Sequence, residues 1–160
     1  YFPFIKKFFK KIDRNKEFTC SEQPEYLSVY WPRLNTDIHS YIDWSNKVED
    51  VKRFICAFDD PYKGAITYLY DDKVRVKKVF STKTDGIFHP FQRGIIYRII
   101  DDVVMVSGNS GSLGINEILN EKGENVISKL KVGDRFFTPQ EKLDKALRFR
   151  AIYTPSGLIE

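Results

Sequence analysis

The sequence predicts a mainly β domain: a small five-stranded barrel with flanking helices, α+β overall. Five short strand-like segments follow one another between residues 65 and 119, and tight turns join them. Helical patterns lie on both sides of this block, and strands joined this closely favour a closed barrel over a layered sheet. The 160 residues suit one domain with appendages, and a composition that is 42% hydrophobic and 15% aromatic excludes a disordered chain.

The first twelve residues predict an amphipathic helix. Apolar side chains recur at positions 1, 4, 5, 8, 9 and 12, with four lysines on the opposite face. We favour the last helix of an upstream domain whose core is missing here, since four lysines make an ordinary solvated face. A basic helix lying on an anionic membrane is the alternative.

A linker and a second helix follow. Residues 13–43 are polar, aromatic and interrupted by prolines, which predicts an ordered linker, and residues 44–160 form the barrel domain. Ser45 is the predicted N-cap of a helix that Asp60-Pro61 ends. Cys56 falls among apolar neighbours of this helix, so we predict that it is buried as a small hydrophobe.

The strands and the last helix complete the predicted domain. The strands are expected at residues 65–70, 73–80, 94–100, 103–107 and 113–119, with Asp-Asp turns and a Gly-Asn-Ser-Gly turn between them. Thr138, Pro139 and Glu141 have the spacing of an N-cap, an N1 proline and a capping-box glutamate. They predict a helix that ends near Arg150.

Composition limits location and partners. Two cysteines without a CxxC pair indicate a reduced, cytoplasmic setting, and no apolar run has the length of a membrane span. Lys and Arg outnumber Asp and Glu by 26 to 22. This excess of +4 is small for a dedicated nucleic-acid binder.

No complete catalytic or metal site is predicted. His39, His89, Cys20 and Cys56 are too widely spaced for a metal motif. The glycines of residues 108–114 continue into a strand, whereas a phosphate-binding loop leads into a helix N-terminus. No carboxylate dyad stands out, because most aspartates lie at predicted turns and caps.

A basic surface is the one binding feature with some breadth. Alternating Lys and Arg on one strand, with basic residues nearby, are typical of barrels that stack bases and follow phosphates, and equally of a solvated strand exterior. The predicted surface for an acceptor or nucleic acid comprises Arg33, Lys73, Arg75, Lys77, Lys78, Arg93 and Arg98.

Three stretches together resemble the C-terminal half of the folate-dependent formyltransferases, which include methionyl-tRNA and sugar-nucleotide types. Residues 30–33 (Tyr-Trp-Pro-Arg) with 42–45 (Ile-Asp-Trp-Ser) resemble the family's linker and helix start. Residues 54–65 resemble its Ile-Arg-Ala-Phe-Asp-Pro-x-Pro-Gly-Ala region, and residues 103–118 resemble its Val-Ala-Thr-Gly-Asp-Gly-x-Leu-x-Ile strand pair. Within these motifs Trp44 and Tyr62 are expected to seat the helix on the barrel.

The resemblance implies an OB-like accessory domain of an enzyme that moves a formyl group from 10-formyltetrahydrofolate to a primary amine. The folate site and catalytic residues would belong to a missing N-terminal domain, so this fragment would hold no cofactor and be inactive alone. Its expected partners are that domain, tRNA or an amino-sugar nucleotide, and a second copy of the chain; a membrane is not expected.

The acceptor stays open at this point. Cys56 stands where the family commonly has Arg, and this loss of a basic side chain slightly weakens the tRNA interpretation. Lys63 stands where the family commonly has Pro. A stand-alone OB-type module that binds tRNA or another nucleic acid is the alternative function, and a dimerisation module is a third possibility.

Overall fold

The computed structural model describes residues 2–14, 17–18 and 20–159, which fall into two compact units, Tyr1–Trp31 and Pro32–Glu160. The boundary between the units falls inside the segment expected to be a linker. The first unit contains helix α1 (Phe2–Asp13) and a short 3-10 turn (Glu25–Leu27). The apolar face of α1 is exposed, and Phe18 of the same unit lies against Phe8 with ring centroids 5.3 Å apart.

The second unit is built on a six-stranded antiparallel sheet curled into a half-barrel. Its strands, in the spatial order β3-β4-β5-β2-β1-β6, are β1 (Ala65–Leu69), β2 (Asp72–Thr82), β3 (Ile96–Ile100), β4 (Val103–Gly108), β5 (Gly111–Leu119) and β6 (Phe136–Phe137). The five predicted strands are present, and β6 is one more than predicted. The sheet is flanked by α2 (Thr36–His39), α3 (Val48–Ala57), α4 (Gln140–Arg148) and a hairpin of β7 (Ile152–Thr154) and β8 (Gly157–Ile159).

Local sequence explains the strand connections. Asp101 and Asp102 both have positive φ, as a two-residue type I′ turn requires, and they join β3 to β4. The predicted Gly-Asn-Ser-Gly turn joins β4 to β5, with Gly108 paired to Gly111. A side chain at Gly108 would clash with Val48, so the glycine lets the first turn of α3 approach this hairpin closely.

The two edges of the sheet meet at one end. The Ile96 amide donates to the Asp134 carbonyl at 2.8 Å, and the Phe136 amide donates to Gly94 at 2.8 Å. Gly94 has φ +79, and a Cβ there would clash with the Phe136 carbonyl oxygen. A glycine at this position therefore permits the segments before β3 and β6 to pair.

The core lies under α3. Its inward stripe, Val48, Val51 and Ile55, is buried against β2 and β5, as the helical spacing predicts. Trp44 is also buried: its indole N–H donates to Thr67 Oγ1 at 2.9 Å, and its ring stacks on Phe136 with centroids 5.9 Å apart.

Two predicted helix starts differ from the structure. α3 begins after Lys47 rather than Ser45, and the side chain of Asp43 instead accepts from the Ser45 amide at 2.8 Å. α4 begins at Gln140 after Pro139, with no side-chain cap, and the predicted capping box is absent. The reason is tertiary: the Thr138 hydroxyl lies 3.4 Å from Thr67 Oγ1, on the sheet.

Candidate functional site

The predicted basic residues are mostly neutralised by carboxylates. Lys73, Arg75 and Lys77 occupy alternate positions of β2, and β5 and β4 separate this strand from Arg98 on β3. The structure therefore spreads the predicted surface over several places. Three of its ion pairs join Lys73 Nζ to Glu121 Oε1 at 2.7 Å, Lys78 Nζ to Glu117 Oε2 at 3.1 Å, and Arg98 Nη1 to Asp85 Oδ2 at 3.2 Å.

Lys77 is the most buried of these cations, with 6% of its surface exposed. Its ammonium donates to the carboxylate of Asp60 and to the Tyr62 carbonyl oxygen (3.1 Å), and lies 3.6 Å from Asp59 Oδ1. The hydrogen bond with Asp60 raises the pKa of Lys77, and burial opposes it. The same hydrogen bond lowers the pKa of Asp60. Because Lys77 holds the loop that follows α3, its position is architectural.

Asp37 joins two cations from different parts of the chain. Its Oδ2 lies 2.9 Å from Lys63 Nζ, and its Oδ1 lies 2.6 Å from Arg75 Nη2. Arg75, with a side chain only 13% exposed, also donates to the Gly64 carbonyl at 3.2 Å. Hydrogen bonds from Lys63 and Arg75 hold the pKa of Asp37 below its usual value, although burial opposes them. Each carboxylate oxygen of Asp37 therefore has its own cation, and the three side chains together carry a net charge of +1.

A cleft of about 490 Å³ opens beside this cluster, within the second unit. We call it the Asp37 cleft. The segment before α2, the end of α3 with the loop after it, and Tyr153 of β7 supply its walls. Its polar and aromatic lining includes Arg33, Asn35, Asp37, Tyr62, Lys63 and Tyr153.

Arg33 is set in place by an aromatic ring. Its guanidinium carbon lies 4.6 Å from the centroid of the Tyr153 ring, and the Tyr153 hydroxyl donates to the Leu34 carbonyl at 3.4 Å. Cation–π stacking leaves the planar N–H edge of a guanidinium free to meet a ligand. In the described part of the chain no carboxylate lies within salt-bridge distance of Arg33, which distinguishes it from the paired cations of β2.

Tyr62 lies at the same cleft and is 54% exposed, so the expectation that it seats α3 on the barrel is wrong. Tyr62 lies in the turn after α3, where its backbone amide donates to the Asp59 carbonyl at 2.8 Å. This turn leaves the Tyr62 side chain on the surface instead of in the core. A large aromatic face is thus left at the cleft.

Arg93 lies elsewhere, at the end of the 3-10 turn Pro90–Gln92. It is half-buried, and among the described residues its buried Nε has no hydrogen-bond partner. Nearby, Arg135 stacks on Phe91 (4.8 Å to the ring centroid) and donates to the Phe91 carbonyl at 2.7 Å. The structure therefore does not bring Arg93 to the Asp37 cleft.

A pair of tyrosines forms a second polar feature. The rings of Tyr41 and Tyr68 stack with centroids 6.4 Å apart. Burial, with the neighbouring Tyr41, raises the pKa of Tyr68 to about 12, so this phenol stays protonated at neutral pH. It can donate a hydrogen bond but is not a base.

The histidines and cysteines form no reactive cluster in the described residues. His39 Nε2 donates to the Phe149 carbonyl at 3.0 Å, and His89 Nδ1 accepts from the Phe91 amide at 3.2 Å. No three His, Cys, Asp or Glu side chains gather as metal ligands in residues 2–14, 17–18 and 20–159. Cys56 is exposed, which makes the prediction of a buried thiol wrong. It follows Ile55 by one residue, about 100° around the helix, and so faces away from the core.

Sequence reasoning missed Asp37 and Tyr153. Asp37 is one of the aspartates expected at turns and caps, but the N-cap of α2 is Asn35, whose Oδ1 accepts from the Asp37 amide at 2.9 Å. Its two ion pairs depend on residues 26 and 38 positions away, for which no local pattern exists. Tyr153 lies in the terminal hairpin, which the sequence did not predict.

The second unit is thus a half-barrel with flanking helices and a mixed-charge cleft, and its described residues form no catalytic cluster. The chain matches the family described as formyl transferase, C-terminal domain, over residues 36–130. The match covers more than half of the chain and includes α2, α3 and strands β1 to β5. The chain therefore belongs to this family.

Solved structures with a similar fold come from HypX of Aquifex aeolicus. The complex of HypX with tetrahydrofolic acid has a TM-score of 0.53 and 16% identity, over 90% of this chain and 22% of that chain. A HypX variant with six alanine substitutions has a TM-score of 0.53 and 16% identity, over 91% and 23%. A variant with two phenylalanine substitutions has a TM-score of 0.51 and 16% identity, over 73% and 19%. At this identity the likeness shows the fold.

The chain spans about a fifth of the length of these HypX structures. In the described part of the chain, no helix combines the length and the apolar composition that a bilayer span requires.

Proposed function

We propose that this chain is the accessory C-terminal domain of a cytoplasmic formyltransferase that moves a formyl group from 10-formyltetrahydrofolate to a primary amine. The family match over residues 36–130 carries the proposal. The complex of HypX with tetrahydrofolic acid supports a folate donor. The acceptor is methionyl-tRNA or an amino-sugar nucleotide, and the half-barrel corresponds to the OB-like barrel of such enzymes.

The domain contributes acceptor binding rather than chemistry. Its histidines are occupied by backbone groups, and the pKa of Tyr68 is too high for a base at neutral pH. The Asp37 cleft, with a free guanidinium edge and an exposed tyrosine, offers recognition without a nucleophile–base pair. The donor and the reacting amine are then held by an upstream catalytic domain.

The exposed apolar face of α1 fits this arrangement. Ile5, Phe8, Phe9 and Ile12 are 43–58% exposed, a large apolar area for one helix. We propose that this face packs in the core of the catalytic domain as its last helix. Dimerisation is a second proposed role, for which sedimentation of the full-length protein supplies the test.

The test is formyl transfer by the full-length protein and by the 160-residue chain. With 10-formyltetrahydrofolate, the full-length protein is expected to formylate methionyl-tRNA or an amino-sugar nucleotide, and the chain alone is expected to be inactive. Transfer by the isolated chain would contradict the accessory role. Absence of transfer to every primary amine by the full-length protein would contradict the function.

The alternative, a stand-alone nucleic-acid module, has less support because most of the predicted cations are ion-paired. It predicts salt-dependent RNA binding by the chain with a slope of several phosphates. Indifference to RNA at low salt would remove this alternative and leave the amino-sugar nucleotide as the favoured acceptor.

A further inference from the structure

The Asp37 cleft has the composition of a site for an anion. Arg33 and Lys63 line it together with the single carboxylate of Asp37. Arg75, which is not a lining residue, pairs with that carboxylate from beside the cleft, so three positive charges and one negative charge lie in and next to it. Arg75 is committed to Asp37 and to the Gly64 carbonyl. The side chain of Lys63 is 67% exposed and spends one donor on Asp37, so it retains donors for a second acceptor.

Arg33 is the group best placed to receive that anion. Stacking on Tyr153 orients the guanidinium before a ligand arrives, which reduces the entropy lost on binding. A guanidinium edge matches the oxygens of a phosphate with two parallel hydrogen bonds. Lys63, on the other wall of the cleft, would contribute a point charge to the same group.

The cleft also offers a surface for a planar ring. Tyr62 lines it with more than half of its surface exposed, and exposed tyrosines of this kind stack on flat ligand rings. A volume of about 490 Å³ suits a ligand with one ring system and one or two phosphoryl groups.

We infer that the Asp37 cleft binds a nucleotide, with Arg33 and Lys63 on its phosphates and Tyr62 stacked on its base. The inference rests on the proposed role in acceptor binding and adds the site and the part of the acceptor that it holds. The nucleotide is either a free nucleotide group, such as that of a sugar nucleotide, or one residue of an RNA strand. Both sources present the same phosphate and base.

Calorimetric titration of the full-length protein tests the inference. The probes are uridine and adenosine 5′-diphosphates, uridine, pyrophosphate and a single-stranded pentauridylate. Binding of a diphosphate, with at least tenfold weaker binding of uridine and of pyrophosphate, is expected if both halves of the cleft contribute. Tighter binding of the pentauridylate assigns the site to RNA, and tighter binding of a diphosphate assigns it to a free nucleotide.

Matched variants place the binding in this cleft. Arg33→Gln is expected to weaken nucleotide binding about tenfold, and Tyr62→Leu several-fold, whereas Tyr62→Phe keeps the stack and is expected to bind as the unaltered protein does. Arg148→Gln, on the exposed face of α4, is the control and is expected to leave binding within about twofold.

Two results would overturn the inference. One is the absence of binding of every nucleotide and of the pentauridylate at millimolar concentration. The other is equal binding by Arg33→Gln and Arg148→Gln, which would place any bound nucleotide outside the cleft. Neither result decides whether the unaltered full-length protein transfers formyl groups. Failure of nucleotide binding at the cleft can therefore be distinguished from failure of the proposed function.

Discussion

Asp37 Oδ1 and Arg75 Nη2 lie 2.6 Å apart and join α2 to β2 across 38 positions of the sequence. The pair, with Lys63 on the other carboxylate oxygen, holds α2 against the sheet, and the start of α2 forms part of one wall of the cleft. The same contact therefore supports both the fold and the candidate site.

Asp37→Asn is expected to destabilise the protein. The change removes the negative charge facing Arg75, whose side chain is 13% exposed and would keep only the Gly64 carbonyl as a partner. Because Asp37 is itself half-exposed, solvent screening limits the loss to about 1 kcal/mol. Urea unfolding measures it. Asp50→Asn, in the first turn of α3 and paired with exposed Arg53, is the control, and it is expected to lose less than about 0.5 kcal/mol. Equal losses for the two variants would contradict a stabilising role of the Asp37–Arg75 ion pair.

The stabilising effect of Asp37 is expected to depend on pH. Its ion pairs lower the pKa of Asp37 in the folded state from an ordinary value of 3.8. The carboxylate therefore contributes its full stabilisation above pH 3.8, and loses it as pH falls through the lowered folded pKa. The difference in unfolding free energy between the unaltered protein and Asp37→Asn should shrink over this acidic range. If this difference in unfolding free energy grew as pH fell, the proposed effect of the Asp37 ion pairs would be contradicted.

Thr67→Val tests the buried polar contact of the core. Thr67 Oγ1 accepts from the Trp44 indole and donates to the Phe137 carbonyl at 3.0 Å. Valine keeps the shape but leaves both groups unpaired, at a cost of about 1–3 kcal/mol measured by chemical denaturation. Thr84→Val, at an exposed loop position, is expected to be near neutral. The double variant Thr67→Val/Trp44→Phe should lose less stability than the sum of the two single variants, because phenylalanine removes the indole N–H that valine leaves unpaired. A loss equal to that sum would show that the two residues are not coupled.

Gly94→Ala tests the meeting of the two sheet edges. Gly94 and Gly123 have nearly equal φ, +79 and +81, but only at Gly94 does a new Cβ meet backbone, the Phe136 carbonyl. Gly123→Ala is expected to cost about 1–2 kcal/mol from backbone strain alone. Gly94→Ala should cost clearly more, with loss of amide protection at Phe136, whose N–H donates to Gly94. Similar losses in unfolding free energy for the two variants would contradict the pairing.

Local patterns were sufficient for much of this fold. The spacing of Val48, Val51 and Ile55 predicted the buried stripe of α3, and the paired aspartates predicted the β3–β4 turn. The periodic pattern was less reliable for single side chains: Cys56 lies one position beyond the buried stripe, and it is exposed rather than buried as predicted. Helix and strand periodicities depend on near neighbours, and so they are readable without the fold.

The candidate site was less predictable because it depends on distant partners. Of the predicted cations, Arg33 lies in the cleft, Arg75 borders it through Asp37, and the others lie elsewhere or are paired with acids. Whether a lysine on a strand is free or neutralised depends on which carboxylate the topology brings opposite. The stack of Arg33 on Tyr153 joins positions 120 residues apart, for which the sequence has no signal.

The most direct measurement of the central claim is the steady-state kinetics of formyl transfer by the full-length protein and its Arg33→Gln variant. If this domain binds the acceptor and leaves the chemistry to another domain, the variant should raise the KM for the acceptor about tenfold and leave kcat and the KM for 10-formyltetrahydrofolate within about twofold. A large loss of kcat at saturating acceptor, with its KM unchanged, would contradict the accessory role.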